Sequence, residues 1–184
     1  MSILIYAESA EGKIKKVAFE LASYAKKVAA SMGTTVTAVT INNSDNSALA
    51  AYGVDKVLNV SNDKLNNFSA KAYADVIAQA AKKEGTQIVL VSSTTDSLYL
   101  APLVAVALEA GYASNVVALP ESTSPFQVKR TAFSNKAFNI TEISTPVKVL
   151  GIAKNSFGLV ENAAAMTEES FAPSLNDADF WMKV

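Results

Sequence analysis

The sequence predicts an α/β fold: a doubly wound, three-layer, mostly parallel sheet with an appended antiparallel ribbon. Three observations lead there. Short apolar runs alternate with longer amphipathic stretches through the first two thirds of the chain. The run Ile88-Val89-Leu90-Val91 has no polar residue, as a strand buried on both faces requires. Beyond residue 126 the helical period is lost, and β-like runs follow one another to residue 152. Alternating strands and helices imply right-handed βαβ crossovers, and hence a parallel sheet covered on both faces.

Each element follows from local pattern. Residues 3–7 form a short apolar strand, followed by a polar loop at 8–12. From Lys13, apolar residues recur at three- and four-residue steps (Ile14, Val17, Ala18, Leu21, Ala25, Val28), with Lys15, Lys16, Glu20, Lys26 and Lys27 on the other face. Gly33 stops that helix. Residues 35–41 alternate threonine with apolar side chains and read as a strand. A short helix at 47–52 ends at Gly53, a strand covers 54–60, and a helix from about 70 runs to Gly85. The central strand at 88–91 leads through a polar loop, 92–97, into an almost wholly apolar helix at 98–110 that contains Pro102 and stops at Gly111. A fifth strand is expected at 115–119. Runs at 126–133 and 137–144, joined by Ser134-Asn135-Lys136, form a hairpin, and a further strand at 147–152 belongs to the same antiparallel block. Residues 1–160 make one domain. Residues 161–184 turn acidic and polar around Pro173 and read as a linker, closed by the apolar Phe180-Trp181-Met182.

Composition removes whole classes of chemistry. At 184 residues and 50% apolar, the chain can build one full-sized core. Net charge is -1 and Arg130 is the single arginine among 16 basic residues, so the positive stripe that nucleic acid needs is missing. Without cysteine or histidine there are no thiolate nucleophiles, disulfides, Ser-His-Asp triads, Cys/His zinc sites or usual haem ligands. The N-terminus lacks the basic segment of a signal peptide, and no run approaches the roughly 20 apolar residues of a membrane span. Cytoplasm or an organelle matrix is the expected location, with no insertion into a membrane.

In open α/β sheets ligands sit beyond the carboxyl ends of the strands, so Ser92, Ser93, Thr94, Thr95 and Asp96 form the candidate anion or nucleotide loop. Capping of the following helix accounts for the same residues, and Asp96 opposes a phosphate. A serine nucleophile there lacks a histidine base and the Gly-x-Ser-x-Gly elbow. The seven glycines build neither Gly-x-Gly-x-x-Gly nor a Walker loop. Glu8 and Glu11 are too few for a metal site, and none is expected. Arg130, alone among lysines, suits either a position where a bidentate fork is needed or a solvated charge on a strand.

Four stretches in register, Ile3-Leu4-Ile5-Tyr6-Ala7-Glu8, Tyr52-Gly53-Val54-Asp55-Lys56-Val57-Leu58, Asp96 with Ala101-Pro102-Leu103 to Leu108, and Val128-Lys129-Arg130-Thr131-Ala132-Phe133-Ser134-Asn135-Lys136-Ala137, resemble the N-terminal domain of the electron transfer flavoprotein alpha subunit. The resemblance covers about residues 1–160 and implies an adenine nucleotide alpha hydrolase-like sheet. It implies a non-catalytic scaffold for electron transfer that pairs with a beta subunit. The family's AMP belongs to that beta subunit, and its single FAD lies chiefly in a C-terminal alpha domain whose glycine-rich and Gln-Thr-Gly stretches are absent here. No cofactor is then expected on this fragment, and its tail leads toward the missing FAD-binding domain. Dehydrogenases and a quinone oxidoreductase are the implied partners of the full complex. Arg130, Asn135 and Phe157 are the candidate interface residues. Two positions depart from the family pattern: Ser134, where glycine is frequent, and Ala153, where many members carry arginine. The competing expectation is a freestanding nucleotide-binding module of the universal stress protein type, with the same α/β layout.

Overall fold

The computed structural model describes residues 2–180. In chain order its elements are β1 (Ser2–Tyr6), β2 (Ser9–Ala10), β3 (Lys13–Ile14), α1 (Lys16–Met32), β4 (Thr35–Ile41), a 3-10 turn at Ser47–Tyr52, β5 (Lys56–Val60), a second at Asp63–Leu65, α2 (Ala70–Glu84), β6 (Ile88–Ser92), α3 (Thr95–Ala107), β7 (Gly111–Val116), β8 (Ser122–Thr123), β9 (Phe126–Ala132), β10 (Ala137–Glu142), β11 (Lys148–Ile152), β12 (Thr167–Ser170) and a third 3-10 turn at Asp177–Phe180. One sheet runs β10-β9-β7-β11-β6-β1-β4-β5-β12, with β8 paired to β9. From β7 to β12 every neighbouring pair is parallel, whereas the β7–β9 and β9–β10 pairs are antiparallel.

The apolar alternation of the strands divides the core in two. On β1, Ile3 and Ile5 point to the α1 side, where they meet Ala18, Leu21, Val28 and Leu49. Leu4 of β1 faces the other way, against Ile77, Leu100 and Val104 of α2 and α3. On β6, Ile88 and Leu90 join the first core and Val89 and Val91 the second, so this strand has no solvent face. That two-sided burial is why its sequence shows no alternation.

Several boundaries differ from the sequence expectation. The strand at 147–152 is not antiparallel: as β11 it lies between β6 and β7, parallel to both. Adjacency in sequence to a hairpin suggested antiparallel pairing, but the chain crosses back after β10 and fills the gap in the parallel sheet. The expected strand at 115–119 instead starts at Gly111, and Gly111 does not end α3. The left-handed residue after that helix is Glu109, at φ 51°. Gly111 is needed for space: a Cβ there would stand 2.5 Å from Ile143 Cγ2 and 2.8 Å from Thr145 Oγ1. Helix α1 starts three residues after Lys13, because Lys13 and Ile14 pair with Ser9 and Ala10 in a small ribbon.

The acidic tail, expected as a linker, is bound to the domain along much of its described length. Asn162 and Ala164 donate to the carbonyls of Ala51 and Ala50, and β12 then adds an edge strand parallel to β5. Beyond it, Ser174 and Gln79 exchange two hydrogen bonds, and Lys71 pairs with Asp179 at 2.7 Å. Phe180 packs on the second core, while Trp181 and Met182 lie outside the described residues.

Candidate functional site

The direction of winding reverses between β1 and β6: from β1 the chain proceeds outward to β4 and β5, then returns to β6 on the opposite side of β1. At such a switch point the loops leaving the two strands diverge and open a crevice at their carboxyl ends. Here an open groove of about 440 Å³ is lined by Glu8 after β1, Lys15, Lys16 and Val17 at the start of α1, Thr94, Thr95 and Asp96 at the start of α3, and Lys154 after β11.

Glu8 is placed by the small β2–β3 ribbon, which folds the chain back so that the Lys15 N–H donates to the Glu8 carbonyl at 2.9 Å. The Lys15 ammonium closes on Glu8 Oε1 as well. Glu8 is only 4% exposed, and its Oε2 is buried with no hydrogen-bond partner. Beneath the groove, burial first, then Tyr73 and the carboxylates of Glu8 and Asp96, push the Tyr6 phenol far above its ordinary range. That hydroxyl stays protonated at any physiological pH.

The five residues of the candidate loop divide into structural and groove-facing members. The Ser92 hydroxyl donates to the Val17 carbonyl at 3.3 Å, tying β6 to α1, and the Ser93 N–H donates to Ile152 O at 2.8 Å. Thr94 Oγ1 accepts from the Ser97 N–H at 3.3 Å and is the N-cap of α3. Thr95 and Asp96 occupy the first turn of that helix at the groove wall. Capping is therefore met by Thr94. Local pattern does not mark Lys15, Lys16 and Lys154 as groove residues; the fold brings them together from the start of α1 and the turn after β11.

A second depression of about 360 Å³ adjoins the groove through Lys16 and Val17 and also contains Glu20, Asn155, Gly158 and Leu159. Glu20 is not on the solvent side of α1, as helical spacing suggested. It is 7% exposed, because the turn after β11 folds over it. The N–H groups of Asn155, Phe157 and Gly158 donate to its carboxylate at 2.9, 2.9 and 3.1 Å. Burial raises its pKa, but the backbone donors outweigh burial and hold it below the ordinary 4.5.

The candidate interface residues lie apart. Arg130 points inward from β9, where Nη2 donates to Ser114 Oγ at 3.4 Å and Nε is buried without a partner. Asn135 is exposed at the hairpin tip, where Phe133, Ser134 and Asn135 all have positive φ. At φ 53°, Ser134 holds a conformation that glycine adopts without steric cost. Phe157 packs edge-on against Tyr24, at 5.5 Å between ring centres, and serves its own core. What the sequence reading overlooked is the outer face of the ribbon. Phe138 and Ile140 stand opposite Thr131 and Lys129 and are exposed, and Phe133 at the tip is 82% exposed. Among the described residues, no helix is long and apolar enough to cross a membrane, and no group of three or more acidic side chains could hold a metal.

With this geometry in place, comparison with known proteins decides the family. The profile of the electron transfer flavoprotein domain matches residues 3–175. The chain belongs to the electron transfer flavoprotein family. The electron transfer flavoprotein subunit alpha of Thermoanaerobacterium thermosaccharolyticum is 34% identical over 120 residues, covering 64% of this chain and 36% of that protein. Subunit LctC of the lactate dehydrogenase (NAD(+),ferredoxin) of Acetobacterium woodii is 31% identical over 151 residues, 78% of this chain and 36% of its own. The electron transfer flavoprotein subunit alpha of Bacillus subtilis is 24% identical over 179 residues, 95% of this chain and 55% of its own. The chain thus spans between about a third and about half of these relatives. The alpha-subunit names of the Thermoanaerobacterium and Bacillus proteins agree with the resemblance carried by the strand and hairpin motifs.

Electron transfer flavoproteins bind FAD, whose pyrophosphate needs a glycine-lined cradle of free backbone N–H groups. Gly12 and Gly158 are the glycines in loops beyond the carboxyl ends of this domain's parallel strands. Gly12 forms the turn of the β2–β3 ribbon, and the Gly158 N–H is already held by a carboxylate, that of Glu20. The described residues therefore do not fit a flavin pyrophosphate.

Proposed function

We propose that this chain is a scaffold domain for electron transfer, the N-terminal part of an alpha subunit that docks on a beta subunit and supports a flavin held elsewhere. The observation that carries this reading is the family match over residues 3–175, joined to an antiparallel ribbon whose outer face exposes Phe138 and Ile140. An edge strand with exposed phenylalanine and isoleucine is a liability for a monomer and an asset for a docking surface. Lys129, 4.8 Å above the Phe138 ring, adds a cation to that face.

On this reading the domain contributes no catalytic residue. FAD belongs to a C-terminal domain of the longer relatives, and dehydrogenases and a quinone oxidoreductase exchange electrons with the assembled complex. Glu20, which occupies the Gly158 N–H, supports locating the flavin elsewhere. The freestanding nucleotide-binding module of the stress-protein type is disfavoured by the family match.

Mixing the purified chain with an electron transfer flavoprotein beta subunit from the same genome tests the proposal by light scattering coupled to size exclusion. A one-to-one complex is expected, with no flavin absorbance from this chain alone. Stoichiometric flavin on the isolated chain, or failure to form any complex, would refute it.

A further inference from the structure

The two ends of the sheet are guarded differently. β12 closes one end with consecutive glutamates, Glu168 and Glu169, whose charge opposes the approach of another strand. β10 closes the other end with no proline, no register shift and no charge between Ala137 and Thr141. Register fixes which of its backbone groups face outward. The Ile143 N–H donates to the Phe126 carbonyl directly opposite at 2.9 Å, in the register that sets Thr141 opposite Val128 and Asn139 opposite Arg130. Hydrogen-bonded pairs alternate with non-bonded ones in an antiparallel ladder. Asn139 and Thr141 therefore turn their N–H and C=O groups toward β9, while Phe138, Ile140 and Glu142 turn theirs away from the sheet. The Lys129 carbonyl, opposite Ile140, accepts from the Val117 N–H on the far side of β9, as that alternation requires.

The residues along this edge are complementary to themselves in reverse. About a two-fold axis at Asn139, an antiparallel copy sets Ile140 opposite Phe138, Thr141 opposite Ala137, and Glu142 opposite Lys136, the residue just before the strand. Apolar side chains then meet across the strands, and lysine meets glutamate at both ends. Gln127 Nε2 donates to Glu142 Oε2 at 3.0 Å and leaves Oε1 for that lysine. An axis at Ile140 would instead set Phe138 against Glu142, so the side chains specify the register.

We propose that a second copy of this chain docks on the β10 edge, the two β10 strands pairing antiparallel about Asn139 into one continuous sheet. Phe138 and Ile140 of each copy exchange both hydrogen bonds with Ile140 and Phe138 of the other, through the groups that face outward. The contact is isologous and closes at two copies, since it uses the same edge of each. It does not rest on the beta-subunit reading: the pairing runs through the backbone edge and is measured on the chain alone, so its failure leaves docking on the ribbon face untouched.

Sedimentation velocity of the full chain up to about 500 µM tests this, because a strand-edge contact is small for an interface and its affinity correspondingly modest. A reversible dimer of twice 19.4 kDa, half-formed on the order of 10–100 µM, is expected. Lys136→Glu sets like charges against each other at both ends and should weaken the dimer about tenfold. Lys136→Glu/Glu142→Lys reverses both signs and should restore it. Ile140→Pro removes an N–H directed away from β9, so it should abolish the dimer and leave the thermal midpoint of the dilute monomer close to wild type. A monomer throughout that range, or assembly beyond the dimer, overturns the proposal. So does a double variant no tighter than Lys136→Glu, or a dimer that survives Ile140→Pro, which would place the contact on another surface such as the exposed Leu98, Tyr99 and Val106 of α3.

Discussion

Glu20 accepts three backbone N–H groups from a turn more than 130 residues away, and two left-handed residues, Asn155 and Gly158, aim those donors at it. Removing the carboxylate strands the donors in a covered site, so Glu20→Ala should cost about 1–3 kcal/mol in urea unfolding. Because the folded-state pKa lies below the ordinary 4.5, the contribution is complete above that value and is lost as pH falls through the lowered one. The gap in stability between wild type and Glu20→Ala should therefore be constant around neutrality and close on acidification below about 4.5. None of this was legible in the sequence, where Glu20 shares a helical face with lysines. Its partner turn lies after β11, and only the return of that strand to the sheet centre brings the two together. Gly111 is a second such case: a Cβ would meet Ile143 and Thr145, so Gly111→Ala should destabilise by about 1–3 kcal/mol through overpacking.

Among the elements, strands buried on both faces and amphipathic helices were legible because their period is set by their own burial. Edge strand β12 was not. Its sequence, Thr167-Glu168-Glu169-Ser170, has no apolar residue, and it is held by backbone pairing to β5 and by charge. Glu169 pairs with Lys56 at 2.8 Å and Lys83 at 2.7 Å, and these lysines lower its pKa to about 2. The sign follows as for Glu20: the clamp is complete above the ordinary 4.5 and is released as pH falls toward about 2. Exposed pairs contribute little to global stability. Glu169→Gln should therefore leave the unfolding midpoint nearly unchanged while hydrogen exchange quickens at Thr167–Ser170 above all. Helix α3 presents the opposite problem. It is apolar on nearly every side, and Leu98, Tyr99 and Val106 remain exposed, the last at 77%.

Across the whole molecule, the parallel order and the hairpin were readable from alternation and turn residues, while the position of β11 was not, because strand order is set by crossovers that leave no local mark. The candidate loop was found by a rule about carboxyl ends, yet its lysines come from other loops and emerge only once β1, β6 and β11 are neighbours. The interface side chains read from the hairpin were the conspicuous ones, Arg130 and Asn135. Register turns Arg130 inward and presents Phe138 and Ile140 outward instead. Docking through that face is the central claim. It is tested most directly by comparing the beta-subunit affinity of wild type with that of Phe138→Asp/Ile140→Asp, two exposed positions whose substitution should leave the thermal midpoint close to wild type. Central anchors of an interface each contribute about 2 kcal/mol or more, so the double variant should bind at least about 700-fold more weakly. Undiminished affinity in a folded double variant would contradict the account.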